Sequence, residues 1–388
     1  MRVFGKWLGR VLLALVLLGA LVWVWKREEI DRLIAVNGLF AEDRIVGNFS
    51  AMGTMFLTRP LDIGTAEPSP LPPGAPLALP AGYDGWVKER KVTGIVVLKD
   101  GALRHEAYYL GTGAEDLRIS WSVAKSFLSA LFGIVMAEGA IASLDDGVVT
   151  YAPGLAGSAY DGATIRNVLN MASGVAFDED YLDFWSDINK MGRVIALGGS
   201  LDGFAAGLTS RVGAPGAAWH YVSIDTHVLG MVIRGATGRS IPDLMSDKLL
   251  SKLGFEAAPY YLTDGDGTAF VLGGLNLRTR DYARFGQMIL QGGRWQGQQV
   301  VPAEWIAAST APSAPTAAGE EQYGFQWWMP EDAREGEFYA IGVYGQYIYV
   351  NLPEGMVIAV NAADRHFTEA GVNAANIAMF RNLTEAAQ

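Results

Sequence analysis

Ser122 and Lys125 stand three residues apart in ISWSVAKSFLSALFGIVMAEG (residues 119–139), and from Val123 to Ala137 the lysine is the only charged side chain. The run reads as one helix, apolar nearly all round. Three residues is close to one turn, so the hydroxyl and the amine share a face. At the N-cap or N1 position Ser122 meets unpaired backbone N–H groups and the positive end of the helix dipole. An ammonium here is desolvated and sits at the wrong end of that dipole, and both effects lower its pKa from about 10.4. A lysine so lowered can take the proton of the neighbouring serine and make it a nucleophile. The competing reading is a plain N-cap serine beside a lysine that reaches solvent.

A second element favours chemistry. In PGAAWHYVSIDTHVLGMVI (215–233), Tyr221-Val222-Ser223 falls in a turn just before another helix. A phenolate at Tyr221 would be stabilised by that helix N-terminus and by Lys125, which suits a proton shuttle. Taken alone, Tyr221 reads as a core aromatic. Other chemistries find little support. No G-x-S-x-G elbow occurs. Four histidines, His105, His220, His227 and His366, form no metal-binding pattern beyond an isolated His366-x-x-Glu369. Asp264-Gly265-Asp266-Gly267 is an incomplete calcium loop with Leu275 where glutamate belongs, and GTGAED (111–116) lacks the third glycine of a dinucleotide cradle. Neither a metal nor a cofactor is expected.

The elements that must position these residues come from both ends of the chain. VTGIVVLKDG (92–101) and ALRHEAYYLG (102–111) read as a hairpin through Asp100-Gly101, and residues 338–363 as a second hairpin turning at Pro353-Glu354-Gly355. A C-terminal helix is expected from about Thr368. Between the hairpins, helical stretches are expected at 122–138, 164–172, about 225–236, 241–252 and 279–291. This order predicts an α+β fold: an antiparallel sheet built from both chain ends, flanked by helices, with a helical region inserted.

Taken together these motifs resemble the serine β-lactamase-related family, which includes class C β-lactamases, DD-peptidases, esterases and 6-aminohexanoate-dimer hydrolases. The resemblance spans roughly residues 83–385. Ser122-Val123-Ala124-Lys125 is similar to the family's S-x-x-K, and Tyr221-Val222-Ser223 to its Y-x-N/S. Residues 273–306 and 323–329 are similar to segments typical of the family, and Gly342-Val343-Tyr344-Gly345-Gln346 falls where it has K-T-G or H-x-G. The resemblance implies a β-lactamase/DD-peptidase-like fold and an acyl-enzyme on Ser122, with Lys125 and Tyr221 handling protons and the base left open between them. It implies an oxyanion hole from the main-chain N–H groups of Ser122 and Gln346, with Ser223, Tyr344 and Gly345 at the substrate. FDEDYLDFW (177–185) is similar to the 6-aminohexanoate-dimer hydrolase loop whose tyrosine contacts the amide, which makes Tyr181 a substrate contact; Asp178, Glu179 and Asp180 read equally well as a solvated acidic loop. Val343 and Tyr344 stand where lactamases and peptidases present a cation to the substrate carboxylate. The expected activity is therefore amide or ester hydrolysis of small non-β-lactam substrates. The alternatives are a β-lactamase or DD-peptidase, and a non-catalytic cell-envelope binding protein of the same fold.

Composition sets the remaining bounds. The 388 residues, half of them hydrophobic, suffice for a sizeable core, and a net charge of -11 without a basic aromatic-interleaved patch excludes nucleic acid as a partner. The absence of cysteine excludes disulfides, thiolate sites and a lipoprotein anchor. Residues 1–27 read as a membrane anchor: Arg2, Lys6 and Arg10 precede an apolar run from Val11 to Trp25, followed by Lys26 and Arg27. No small-x-small cleavage site follows, although a cleaved secretion signal is the alternative. The charge balance favours a single-pass protein of a bacterial inner membrane with its catalytic domain in the periplasm. Residues 28–82 are expected as an amphipathic segment and a proline-rich, semi-rigid or surface-hugging linker, and residues 83–388 as the hydrolase domain.

Overall fold

The structure, a computed structural model, describes residues 2–65 and 67–388, so residue 1 of the expected anchor and Ala66 of the proline-dense segment lie outside the described residues. Its main sheet has seven antiparallel strands. In chain order these are β1 (Val92–Lys99), β2 (Ala102–Tyr108), β3 (Gln322–Tyr323), β4 (Trp328–Met329), β5 (Glu337–Gly342), β6 (Gln346–Asn351) and β7 (Met356–Ala362). Their spatial order is β2-β1-β7-β6-β5-β4-β3, so β7 from the chain's end lies against β1 from its beginning, with Val97 opposite Ile358. The α+β sheet drawn from both chain ends is observed.

Alternation along the central strands explains the layers. Val96, Leu98, Ile348, Val350, Val357 and Ala359 face one hydrophobic cluster, whereas Ile95, Val97, Tyr347, Tyr349, Ile358 and Val360 face another. With a side-chain period of two, a strand buried on both faces reads as an unbroken apolar run. Helices Ala124–Ala137 and Thr279–Leu290 contribute Phe127, Leu131, Phe285 and Met288 to the first cluster; the C-terminal helix Val372–Ala386 contributes Phe380 and Leu383 to the second. Gly286 lets its helix approach closely, since a Cβ there would lie 2.6 Å from Val357 and 2.8 Å from Ile348.

Three expectations need correction. Residues 338–363 form three strands with two turns, because Tyr344 and Gly345 adopt left-handed backbone (φ 64° and 89°) and reverse the chain before Pro353 does so again. The C-terminal helix starts at Val372, and the helix Asp187–Ala196 lies outside the helical stretches expected. The third concerns the chain before Tyr83. A 24-residue helix α1 (Arg2–Trp25), none of whose apolar window is buried, leads into α2 (Arg27–Gly38) and α3 (Ile45–Ser50). Leu39, Ile45, Phe49, Met52 and Leu61 are then buried in the main core. Thr58–Pro60 pairs with Tyr260–Leu262 at the edge of a second, four-stranded sheet. The proline-dense stretch hugs the surface: Pro72 accepts from the Leu103 N–H at 2.8 Å, and the Ser69 carbonyl accepts two bonds from Arg284. Packing therefore begins near Leu39 and not at 83, because the apolar side chains of 39–61 find partners that only the folded domain supplies.

A core role for this segment has a measurable consequence. Phe49→Ala removes a fully buried ring that meets Trp121 and Tyr344 edge-on. The expected loss is about 3–5 kcal/mol in urea unfolding of the full chain, whereas a segment merely tethered to the domain would show none.

Candidate active site

Ser122 lies in a single tight turn, Trp121–Val123, that runs directly into α4 (Ala124–Ala137). The turn is docked from outside: the Ser120 N–H donates to the Leu275 carbonyl at 2.8 Å. Every residue of α4 from Ala124 to Val135 is buried, and Lys125 is only 2% exposed. Its Nζ lies 2.8 Å from Ser122 Oγ, 2.9 Å from the Leu272 carbonyl oxygen and 3.2 Å from Ser223 Oγ. Three oxygens thus meet the three N–H directions of an ammonium. Burial nevertheless pulls the Lys125 pKa down to about 7, against the opposing pull of the Glu179 carboxylate.

Tyr221 precedes helix α5 (Ser223–Thr237). Its ring packs against Trp219, Tyr323 and Trp328, and Lys125 Nζ lies 5.3 Å from its centroid. Burial pushes the phenol well above its usual range and Glu179 adds to this, while the Ser122 and Ser223 hydroxyls favour its ionised form. Ser223 opens α5, and its hydroxyl and N–H both donate to Glu179, the N–H at 3.0 Å. Tyr181 donates its hydroxyl to the same carboxylate at 2.6 Å. Glu179, one of three acids in a loop that equally suited solvent, is therefore the residue sequence reasoning underrated. A carboxylate at a helix N-terminus is favourably placed, and only the fold brings the two together.

Ser122 stands between two cavities. The larger, about 270 Å³, is mostly apolar and is lined by Phe40, Met52, Trp121, Leu272, Val343 and Tyr344 among others. The smaller, about 220 Å³, is lined by Tyr221, Trp328, Gly345, Asp364 and Asn376. Tyr181 and Val343 border both. Tyr344 is stacked on Phe40 at 4.7 Å, so the chain before Tyr83 forms part of the site.

Gln346 takes a different place from the one expected. It lines neither cavity; its buried side chain donates to the Ala362 carbonyl at 2.8 Å and accepts from Asn361. The strand end beside the nucleophile is Gly342, where a Cβ would lie 2.6 Å from the Ser120 oxygen and 3.1 Å from the Ser122 nitrogen. The left-handed Tyr344-Gly345 turn sets Gln346 on the next strand, directly opposite Gly342. Among the described residues no cluster of three His, Cys, Asp or Glu side chains is arranged for a metal. His105 is bonded to Tyr83, His227 to Asp202 and His366 to Glu369.

Residues 87–380 match the profile of the Beta-lactamase family. The chain belongs to that family. The 6-aminohexanoate-dimer hydrolase of Paenarthrobacter ureafaciens is 30% identical over 279 residues, 68% of this chain and 71% of that protein. A Bacillus anthracis protein provisionally named a 6-aminohexanoate-dimer hydrolase shares the fold with a TM-score of 0.78 at 21% identity, over 90% of this chain and 96% of its own. A D-stereospecific amidohydrolase from Streptomyces sp. shares it with a TM-score of 0.56 at 20% identity, over 75% and 97% of the two chains. The β-lactamase-like architecture read from the motifs is therefore the architecture of this protein.

The state of Lys125 can be measured directly. NMR titration of lysine labelled at the ε-carbon should show one side chain with a midpoint near pH 7. Glu179→Gln should lower that midpoint, since it removes a negative charge that favours the ammonium; a titration near the ordinary lysine value would contradict the burial argument.

Proposed function

We propose that this protein is a membrane-anchored serine hydrolase that cleaves amide or ester bonds of small non-β-lactam substrates through an acyl-enzyme on Ser122. The observation that carries this reading is a buried amine, with its pKa drawn down to about 7, lying 2.8 Å from a serine hydroxyl at the junction of two cavities. Neutral Lys125 takes the Ser122 proton as Oγ attacks the carbonyl carbon. Tyr221, whose phenol stays protonated at neutral pH, suits donation to the leaving amine or alkoxide, and the proton that Lys125 took from Ser122 then restores the phenol. The oxyanion is held by the Ser122 N–H together with a main-chain N–H from the Gly342-Val343 stretch, which takes the role first given to Gln346. Water then gives a proton to Lys125 as it adds to the acyl carbon, the ester bond to Ser122 breaks, that proton passes to Oγ, and the acid departs. Tyr181 and Ser223, joined through Glu179, border the substrate, as do Tyr344 on the larger cavity and Gly345 on the smaller.

Two further features support the choice of substrate class. Ala340, Ile341, Val343 and Tyr344, around the strand end at Ser122, carry no cation for a penicillin or D-Ala-D-Ala carboxylate. The named relatives include a D-stereospecific amidohydrolase and a 6-aminohexanoate-dimer hydrolase. The anchor reading rests on α1, whose window Lys6–Trp25 has mean hydropathy 2.2 and is not buried. It places residues 1–27 in a bacterial inner membrane and the folded body in the periplasm; cleavage of the same segment would give a secreted form.

A fluorophosphonate probe should label the protein, and Ser122→Ala should abolish labelling; equal labelling of the variant would remove Ser122 from its role. Short-chain ester turnover should exceed nitrocefin turnover by at least about 10²-fold, with Tyr221→Phe lowering kcat by about 10²-fold. The rate should rise with pH through about 7 and level off above it, because the protonated Lys125 below that point cannot accept the serine proton.

A further inference from the structure

The larger cavity, the anchor helix and one exposed loop belong to a single surface. Two backbone bonds join α1 to α2 across a junction at Lys26, whose backbone (φ -110°, ψ 19°) leaves the helical range: the Lys26 N–H donates to the Val22 carbonyl and the Ile30 N–H to the Lys26 carbonyl, at 2.8 and 2.9 Å. Ten residues further on, Val36 and Asn37 line the cavity, followed by Leu39 and Phe40. At 1.5 Å per residue the cavity wall lies about 15 Å along the helix from the end of the apolar span. This wall is fixed to the body by the helix Asp187–Ala196, where the Ala196 carbonyl accepts from Arg32 at 2.8 Å and Gly192 lies against Val36.

The loop before that helix closes the other side of the mouth. Leu182 and Phe184 line the cavity yet are 71% and 50% exposed, and Trp185 beside them is 70% exposed. Arg193 lies 4.0 Å from the Phe184 ring centroid and 5.8 Å from that of Trp185. Exposed large apolar side chains next to a cavity mark a surface that something covers. A tryptophan and a phenylalanine meeting edge to face with an arginine over them suit the boundary between hydrocarbon and headgroups. Leu197, at the far end of the same helix, is exposed as well.

We propose that this face meets the bilayer from which α1 emerges, and that the larger cavity takes the long acyl chain of an ester or amide held in that bilayer. The inference rests on the serine hydrolase and anchor readings and names the substrate class of the same site. The acyl chain enters between α2 and the 182–185 loop, with its carbonyl at Ser122 and its headgroup toward the smaller cavity at Tyr221. Hydrolysis breaks the bond between the acyl carbon and the headgroup oxygen or nitrogen and consumes one water. The headgroup leaves with a proton, and the fatty acid returns to the membrane.

The test uses the full chain reconstituted in phosphatidylcholine vesicles and p-nitrophenyl acetate, octanoate and myristate. Efficiency, kcat/KM, should rise about fourfold per methylene until the cavity is filled. The double variant Trp185→Ser/Leu197→Ser, at positions outside the cavity lining, should lose about tenfold on the myristate ester and keep its acetate activity. Equal efficiency on acetate and octanoate would overturn the acyl-chain assignment while leaving the serine hydrolase reading intact. Equal losses by the double variant on both esters would overturn the membrane-facing role. No ester cleavage and no fluorophosphonate label on Ser122 would overturn both this inference and the function on which it rests.

Discussion

The site is organised around one amine placed where water cannot reach it. A fall of the Lys125 pKa to about 7 sets the cost of burying its charge at about 5 kcal/mol, of the order of a domain's whole net stability. Below pH 7 the lysine is protonated in both folded and unfolded chains, and the full cost opposes folding. From about 7 to about 10 the folded chain has released a proton that the unfolded chain still holds, so stability rises with pH through that window. The surroundings keep the cost bearable: the Leu272 carbonyl and the Ser122 and Ser223 hydroxyls meet the amine, and Glu179 supplies a nearby negative charge.

Those partners come from separate parts of the chain, which is why the inserted helical region and the sheet must both be complete before the lysine is satisfied. Leu272 precedes Leu275–Leu277, an inner strand of the four-stranded sheet, Ser223 begins α5, and Glu179 hangs from a loop tied to that helix by its own carboxylate. Removing one partner leaves a buried polar group with less than it needs, a larger loss than the bond alone would suggest.

The parts of this arrangement written in local pattern were legible. Ser122-x-x-Lys125 and Tyr221-Val222-Ser223 each sit at the start of a helix, and the β1–β2 hairpin follows from the apolar run of β1 and its Asp100-Gly101 turn. What escaped depends on who meets whom across the fold. Gly342 matters because its strand passes within touching distance of Ser120 and Ser122, and no periodicity carries that information. Tyr344 reads as a strand residue by type and turns the chain instead, held in left-handed backbone with its ring between Phe40 and Phe367. The acids at 178–180 look alike in sequence, yet only the middle one turns inward to Ser223. Residues 39–61 looked detached because their apolar side chains are scattered among turns and their partners lie on elements far along the chain.

The pairing of β1 with β7 joins strands separated by most of the polypeptide. Contacts of such high sequence separation form late and make folding slow. The sheet lacks β7 until residue 362 has been made, and until then the strand end at Gly342 beside the nucleophile has no complete sheet to hold it. The serine thus gains its surroundings only when almost the whole chain is present, and a chain cut short before β7 carries the motif without the site.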